Sequence, residues 1–210
     1  MFRNTCKRLS VNSLLRVQNT WIFKLKQNFL SSGVNYKPEG HGGLQVLTED
    51  QKQQYESDGY VVVPDVFSKD HVEEMNKVLD GYVEQSRKIE QTNNLFVLDP
   101  LHTPDNPILL RLRCISNHNK LFHKTMCDPK LVDILSDLIG PSVRYINQEK
   151  VNMKPPESST GSLIRWHQDW AFYPYTNDSL VTACISIDDS TRENVNGPLK
   201  KLDIMENTHP

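Results

Sequence analysis

From residue 48 onward the apolar positions follow first a helical and then a strand-like period. Thr48-Glu49-Asp50-Gln51 joins a hydroxyl N-cap to acidic first-turn residues and predicts a short helix that Gly59 ends. Tyr60-Val61-Val62-Val63 is apolar and β-branched and predicts a strand stopped by Pro64. Ser68 opens a longer helix to about Lys88, with Val72, Met75, Val78, Leu79 and Tyr82 on its inner face. Residues 91–107 hold Pro100, Pro104 and Pro107 and read as loop. Asp128-Pro129 supplies the N-cap and first-position proline of a third helix. Its stripe is Leu131, Ile134, Leu135 and Leu138, and Gly140-Pro141 closes it. Beyond it the period changes: over 143–153 and 180–187 β-formers are interspersed with polar residues, while Pro155-Pro156 and residues 194–198 mark loops. Helices followed by strands predict an α+β domain whose antiparallel sheet, sandwich or barrel carries the N-terminal helices on its outside.

Residues 1–38 belong to a different regime. They contain Arg3, Lys7, Arg8, Arg16, Lys24, Lys26 and Lys37 and no Asp or Glu, a charge of +7. The remaining 172 residues carry 24 − 7 = 17 basic against 26 acidic groups, or −9. Val11, Leu14, Leu15, Ile22, Leu25 and Phe29 fall on one side of a helix, so the stretch predicts an amphipathic, basic leader of the mitochondrial transit type. A boundary near Lys37-Pro38-Glu39-Gly40 divides the leader, 1–38, from a body, 39–210. The mitochondrion is the expected destination, with the peroxisome or cytoplasm as alternatives. The terminal Asn207-Thr208-His209-Pro210 is no peroxisomal address of the Ser-Lys-Leu type.

Composition narrows the rest. A chain of 210 residues with 37% apolar positions suits one domain with a real core. No apolar run nears the eighteen or so residues of a membrane span. A net charge of −2 gives no basic footprint for nucleic acid. Cys6, Cys114, Cys127 and Cys184 are far apart, without a C-x-x-C pair, and suggest no disulfide framework or zinc site; the three in the body read as small buried apolar groups.

The candidate chemistry lies in Arg165-Trp166-His167-Gln168-Asp169-Trp170. A His and an Asp two apart in an extended segment share a face, so an imidazole nitrogen and a carboxylate oxygen can bind adjacent positions of one metal. With a second His from elsewhere they would complete the 2-His-1-carboxylate arrangement that holds Fe(II) on one side. The tripeptide alone equally suits zinc, or a His and Asp joined only by a hydrogen bond.

The surrounding residues are more specific. Lys154-Pro155-Pro156, Trp166-His167-Gln168-Asp169-Trp170, Phe172-Tyr173-Pro174-Tyr175, residues 180–187, Asp188-Asp189, Glu193-Asn194 and Gly197-Pro198-Leu199 closely resemble the phytanoyl-CoA dioxygenase family. The opening at residues 55–63 is similar too, so the likeness spans about 48–199. The resemblance implies a double-stranded β-helix of jelly-roll or cupin type, here partial. It also implies Fe(II), 2-oxoglutarate as cosubstrate and ascorbate as a reductant. The implied reaction is hydroxylation of an unactivated carbon of a small-molecule or acyl-CoA substrate, with release of succinate and CO2. It assigns His167 and Asp169 to the metal and Gln168 to a place beside the cosubstrate. Arg111 and Arg113 are its candidates for the cation from the region before the sheet that helps hold 2-oxoglutarate. Trp166, Trp170, Phe172, Tyr173 and Tyr175 read as packing at the barrel mouth, and His102, His118 and His123 as surface histidines.

The departure from the family is equally plain. Val195-Asn196 interrupts its Glu-Asn-Gly-Pro run, and the Pro-Gly-Ser-His turn expected next, with the second metal His and an Arg for the distal carboxylate, does not occur before Pro210. His209 is the only later His and lies outside any strand pattern. The expectation is thus an incomplete sequence of a dioxygenase. The alternatives are a truncated relative that associates with a full-length enzyme, and an α+β domain that binds no metal.

Overall fold

The structure, a computed structural model, describes residues 19–24, 43–155 and 180–188. Its elements in chain order are β1 (Asn19–Lys24), α1 (Glu49–Asp58), β2 (Tyr60–Pro64), α2 (Lys69–Ser86), β3 (Phe96–Leu98), β4 (Leu109–Arg113), a 3₁₀ turn (Ile115–Asn117), α3 (Lys120–Met126), α4 (Pro129–Ile139), β5 (Lys150–Asn152) and β6 (Val181–Ile185). The strands form two three-stranded antiparallel sheets, ordered β2-β1-β6 and β3-β4-β5. This is the expected mixed helix and antiparallel-sheet class.

The helix ends are where the sequence puts them, because local hydrogen bonds decide them. Thr48 and Gln51 form a reciprocal capping box, and Gly59 ends α1 at φ 76°, a left-handed conformation that glycine adopts without a Cβ penalty. Ser68 caps α2 by accepting from His71 N, and Asp128 caps α4 by accepting from Lys130 N with Pro129 behind it. α2 ends at Ser86, two residues before the expected Lys88. It buries Val72, Met75, Leu79 and Tyr82, while Val78 packs at the margin of the core. With Val61, Val63, Phe96, Leu112, Ile115, Phe122, Leu131 and Ile134 these residues form one continuous core. Tyr82 meets Phe96 at 6.0 Å between ring centroids, and Asn76 Nδ2 donates to Ile187 O at 3.2 Å, tying α2 to the segment just after β6.

Five expectations are corrected. The leader helix does not form at Ile22: residues 19–24 are an extended strand between β2 and β6, with Ile22 paired to Val61 and to Ala183. Thr20, Trp21, Ile22 and Phe23 favour strands, and pairing on both edges overrides a helical periodicity that local sequence cannot arbitrate. The other stripe residues and the 37–40 boundary lie outside the described residues. The loop at 91–107 contains β3, and of 143–153 only Lys150–Asn152 is strand. The cysteines among the described residues are not buried: Cys127 and Cys184 are exposed and Cys114 is half-buried. His102 is not a surface histidine, since its Nδ1 accepts from Ile108 N at 2.9 Å and its Nε2 is enclosed.

Candidate functional site

Arg111 and Arg113 lie in the sheet and not before it. They are alternate residues of β4, so they share a face. β5 runs antiparallel beside them in a register that sets Arg111 against Asn152, Leu112 against Val151 and Arg113 against Lys150. Leu112 is fully buried and Val151 packs on the core, which turns the opposite face inward. The other face therefore carries Arg111, Arg113, Lys150 and the Asn152 amide. Arg111 Nε donates to Asn152 Oδ1 at 2.8 Å, which draws the guanidinium across toward β5. Placing Arg113 directly across from Lys150 costs stability, since like charges opposite each other repel. Three cations on one face, in a body of net charge −9, suit a carboxylate ligand.

A polar cluster closes the end of this strand pair. Ser116 N donates to Glu149 Oε1 at 2.7 Å, and the Tyr145 hydroxyl donates to Glu149 Oε2. Ser116 Oγ lies 3.1 Å from both the Tyr145 oxygen and Asn147 Oδ1, and Asn147 Nδ2 donates to Asn117 Oδ1 at 2.9 Å. The backbone joins in, with Cys114 N donating to Glu149 O at 2.9 Å. Partial burial pushes the Tyr145 phenol well above its ordinary value, helped by its bond to the Glu149 carboxylate. The same burial tends to raise Glu149, but the bonds from Tyr145 and Ser116 outweigh it and hold the carboxyl below the usual range. None of these residues was singled out from sequence; the closest signal is a Tyr, an Asn and a Glu in an otherwise β-forming stretch.

The signs of the two shifts give a pH prediction. A lowered Glu149 stabilises the fold above its ordinary 4.5, and that contribution is lost as pH falls through the folded value. A raised Tyr145 stabilises below its ordinary 10.0, and the contribution declines as pH climbs past 10. Unfolding free energy measured against pH should therefore flatten on the acid limb in Glu149→Gln and on the alkaline limb in Tyr145→Phe. Unchanged limbs in both variants would show the cluster to be energetically idle.

His118 and His123 are exposed, as expected. Among the described residues no three His, Cys, Asp or Glu side chains are grouped to hold a metal. His167, Gln168 and Asp169, and the aromatic residues around them, lie outside the described residues. Among the described residues no helix is long and apolar enough to cross a membrane.

Residues 55–200 match the model of the phytanoyl-CoA dioxygenase family. The chain belongs to that family. It is a family of Fe(II)- and 2-oxoglutarate-dependent dioxygenases, and the match includes His167, Gln168 and Asp169 as well as Arg111 and Arg113. The chain is 30% identical over 149 residues to a probable alpha-ketoglutarate-dependent hypophosphite dioxygenase of Stutzerimonas stutzeri, covering 69% of this chain and 49% of that protein. It is 26% identical over 149 residues to an ectoine dioxygenase, also of Stutzerimonas stutzeri, covering 70% and 46%. It is 20% identical over 139 residues to the peroxisomal phytanoyl-CoA dioxygenase of Rattus norvegicus, covering 65% and 41%. The chain thus spans about half the length of the curated relatives it matches. No solved structure matches it.

Proposed function

We propose that this member of the phytanoyl-CoA dioxygenase family contributes the His-x-Asp half of an Fe(II) site and a cationic face for 2-oxoglutarate, and serves the hydroxylation of a small-molecule or acyl-CoA substrate within a double-stranded β-helix. The observation that carries the reading is the β4–β5 face, where Arg111, Arg113 and Lys150 meet the Asn152 amide. His167 and Asp169 supply a neutral nitrogen and a hard oxygen, a donor set that fits a divalent first-row metal. When bound, the iron supplies the oxygen chemistry that couples oxidative decarboxylation of 2-oxoglutarate to substrate oxidation.

The chain's own residues do the rest. Arg111, already oriented by Asn152, offers donors to a carboxylate with little further loss of freedom, and Arg113 and Lys150 raise the local concentration of anions. Gln168 is assigned to contact with the cosubstrate. The relatives are named for substrates as unlike as hypophosphite, ectoine and phytanoyl-CoA, so substrate choice rests on residues other than those they share. The basic stretch 1–38 supports a mitochondrial destination. Processing after it would remove β1 from between β2 and β6.

Titration of 2-oxoglutarate into the protein with Fe(II) tests the cationic face. Arg111→Gln should weaken binding about tenfold and the Arg111→Gln/Arg113→Gln pair by more, as expected for losing charge-assisted bonds of about 1.5–3 kcal/mol each. Equal affinity in the wild type and the pair would remove both arginines from the cosubstrate site.

A further inference from the structure

β5 is only three residues long, so its own ladder bonds do little to fix its position along β4. Its side-chain pattern does not fix it either. Val151 and Met153 both pack on the core from the same face, and a slip by two residues keeps that face inward and sets one of them where the other was. Such a slip would carry Asn152 away from Arg111 and set a different residue against each cation. Something outside the strand must therefore select the observed register.

The geometry points to Glu149 as a positioning residue: its carboxylate, held by Ser116 N–H and the Tyr145 hydroxyl, locks β5 in register on β4 and so holds Arg111 against Asn152. Glu149 is the residue immediately before β5, and it grips the turn after β4 through both its main chain and its side chain. Cys114 N donates to its carbonyl and Ser116 N to its carboxylate, two bonds to the same short segment. A two-residue slip would break both at once. At the far end Met153 N donates to Leu110 O at 2.9 Å and continues the pairing.

The local backbone is set up for this grip. Cys114 and Asn147 both take positive φ, 49° and 58°, and Cys114 Sγ donates to Asn147 O at 3.6 Å. A left-handed conformation is tolerated by Asn but disfavoured for Cys by about 1–2 kcal/mol, so Cys114 holds it only because its surroundings impose it. What that conformation achieves is visible: it turns the chain out of β4 so that the N–H groups of Cys114 and Ser116 both face Glu149.

The role of Arg111 rests on the reading under Proposed function, and the test separates the two. The 210-residue chain is compared by NMR and amide exchange as wild type, Glu149→Ala and Glu149→Gln, with 2-oxoglutarate titrated into each in the presence of Fe(II). In Glu149→Ala the hydrogen-bonded Arg111 Nε–H signal should be lost. Exchange at Cys114 and Met153 should rise about tenfold or more while amides of α2 and α4 stay protected. Glu149→Gln keeps an oxygen to accept from Ser116 and should restore both, a rescue that loss of charge or general destabilisation would not give. An intact Arg111 signal and unchanged Met153 exchange in Glu149→Ala would overturn the proposal. If Glu149→Ala does not fold, Tyr145→Phe, which frees one carboxylate oxygen, is read the same way with a smaller rise. A wild type that binds no 2-oxoglutarate counts against the cosubstrate reading alone, because the register is judged on Arg111 and Met153.

Discussion

Asp137→Ala should cost about 3–5 kcal/mol of folding stability, a large share of the roughly 5–15 kcal/mol that holds a domain folded. Asp137 lies in α4 with its carboxylate buried, and it accepts three backbone N–H bonds from a segment some ninety residues earlier. Gln45 N donates to Oδ1 at 2.8 Å, and Val46 N and Leu47 N donate to Oδ2 at 2.9 Å each. Three N–H groups on one carboxylate are charge-assisted bonds, and removing the acceptor leaves at least the buried Leu47 N–H without a partner. This clasp brings the segment before Thr48 onto α4. Chemical denaturation of Asp137→Ala against the wild type checks the value. A loss below about 1 kcal/mol would mean that water replaces the carboxylate at no cost.

His167→Ala should abolish tight Fe(II) binding. Mutating partners outside the ligand shell typically costs about 10–100-fold in metal affinity, and removing a ligand itself should cost more. The change is expected to leave the melting temperature of the metal-free protein within a few degrees of wild type. Competition with a coloured chelator gives the affinities directly. Fe(II) affinity unaltered by His167→Ala would remove this residue from the metal site.

What was legible in the sequence depended on how local the deciding physics is. α1, α2 and α4 announce themselves because a cap, a stripe and a stop lie within one short window: Thr48 with Gln51 and Gly59, Ser68 with Val72 to Tyr82, Asp128-Pro129 with Gly140. β3 and β5 have three residues each, and the partners of β1 and β5 lie about 40 residues away, as in Ile22 with Val61 and Asn152 with Arg111. No local window contains that pairing, so the helical reading of Ile22 and the loop reading of 91–107 were natural errors. α3 was missed for its brevity, although Asn119 caps it by accepting from Leu121 N.

The candidate site shows the same division. The His-Gln-Asp motif and its family setting were readable, and the family match bears that recognition out. In the sequence Arg111 and Arg113 stand out only as cations ahead of a sheet. That they share a face with Lys150, and that Asn152 orients Arg111, follows from a register between β4 and β5 that only the fold supplies. Glu149 and Tyr145 carried no sequence signal because their partners, Ser116 and the turn after β4, are about 30 residues distant.

The most direct test of the central claim is an anaerobic titration of 2-oxoglutarate into the wild-type protein, with and without Fe(II). The account predicts saturable binding that requires the metal and weakens with rising salt, as cations on an exposed strand face dictate. Absence of binding with Fe(II) present, or binding indifferent to the metal, would contradict it.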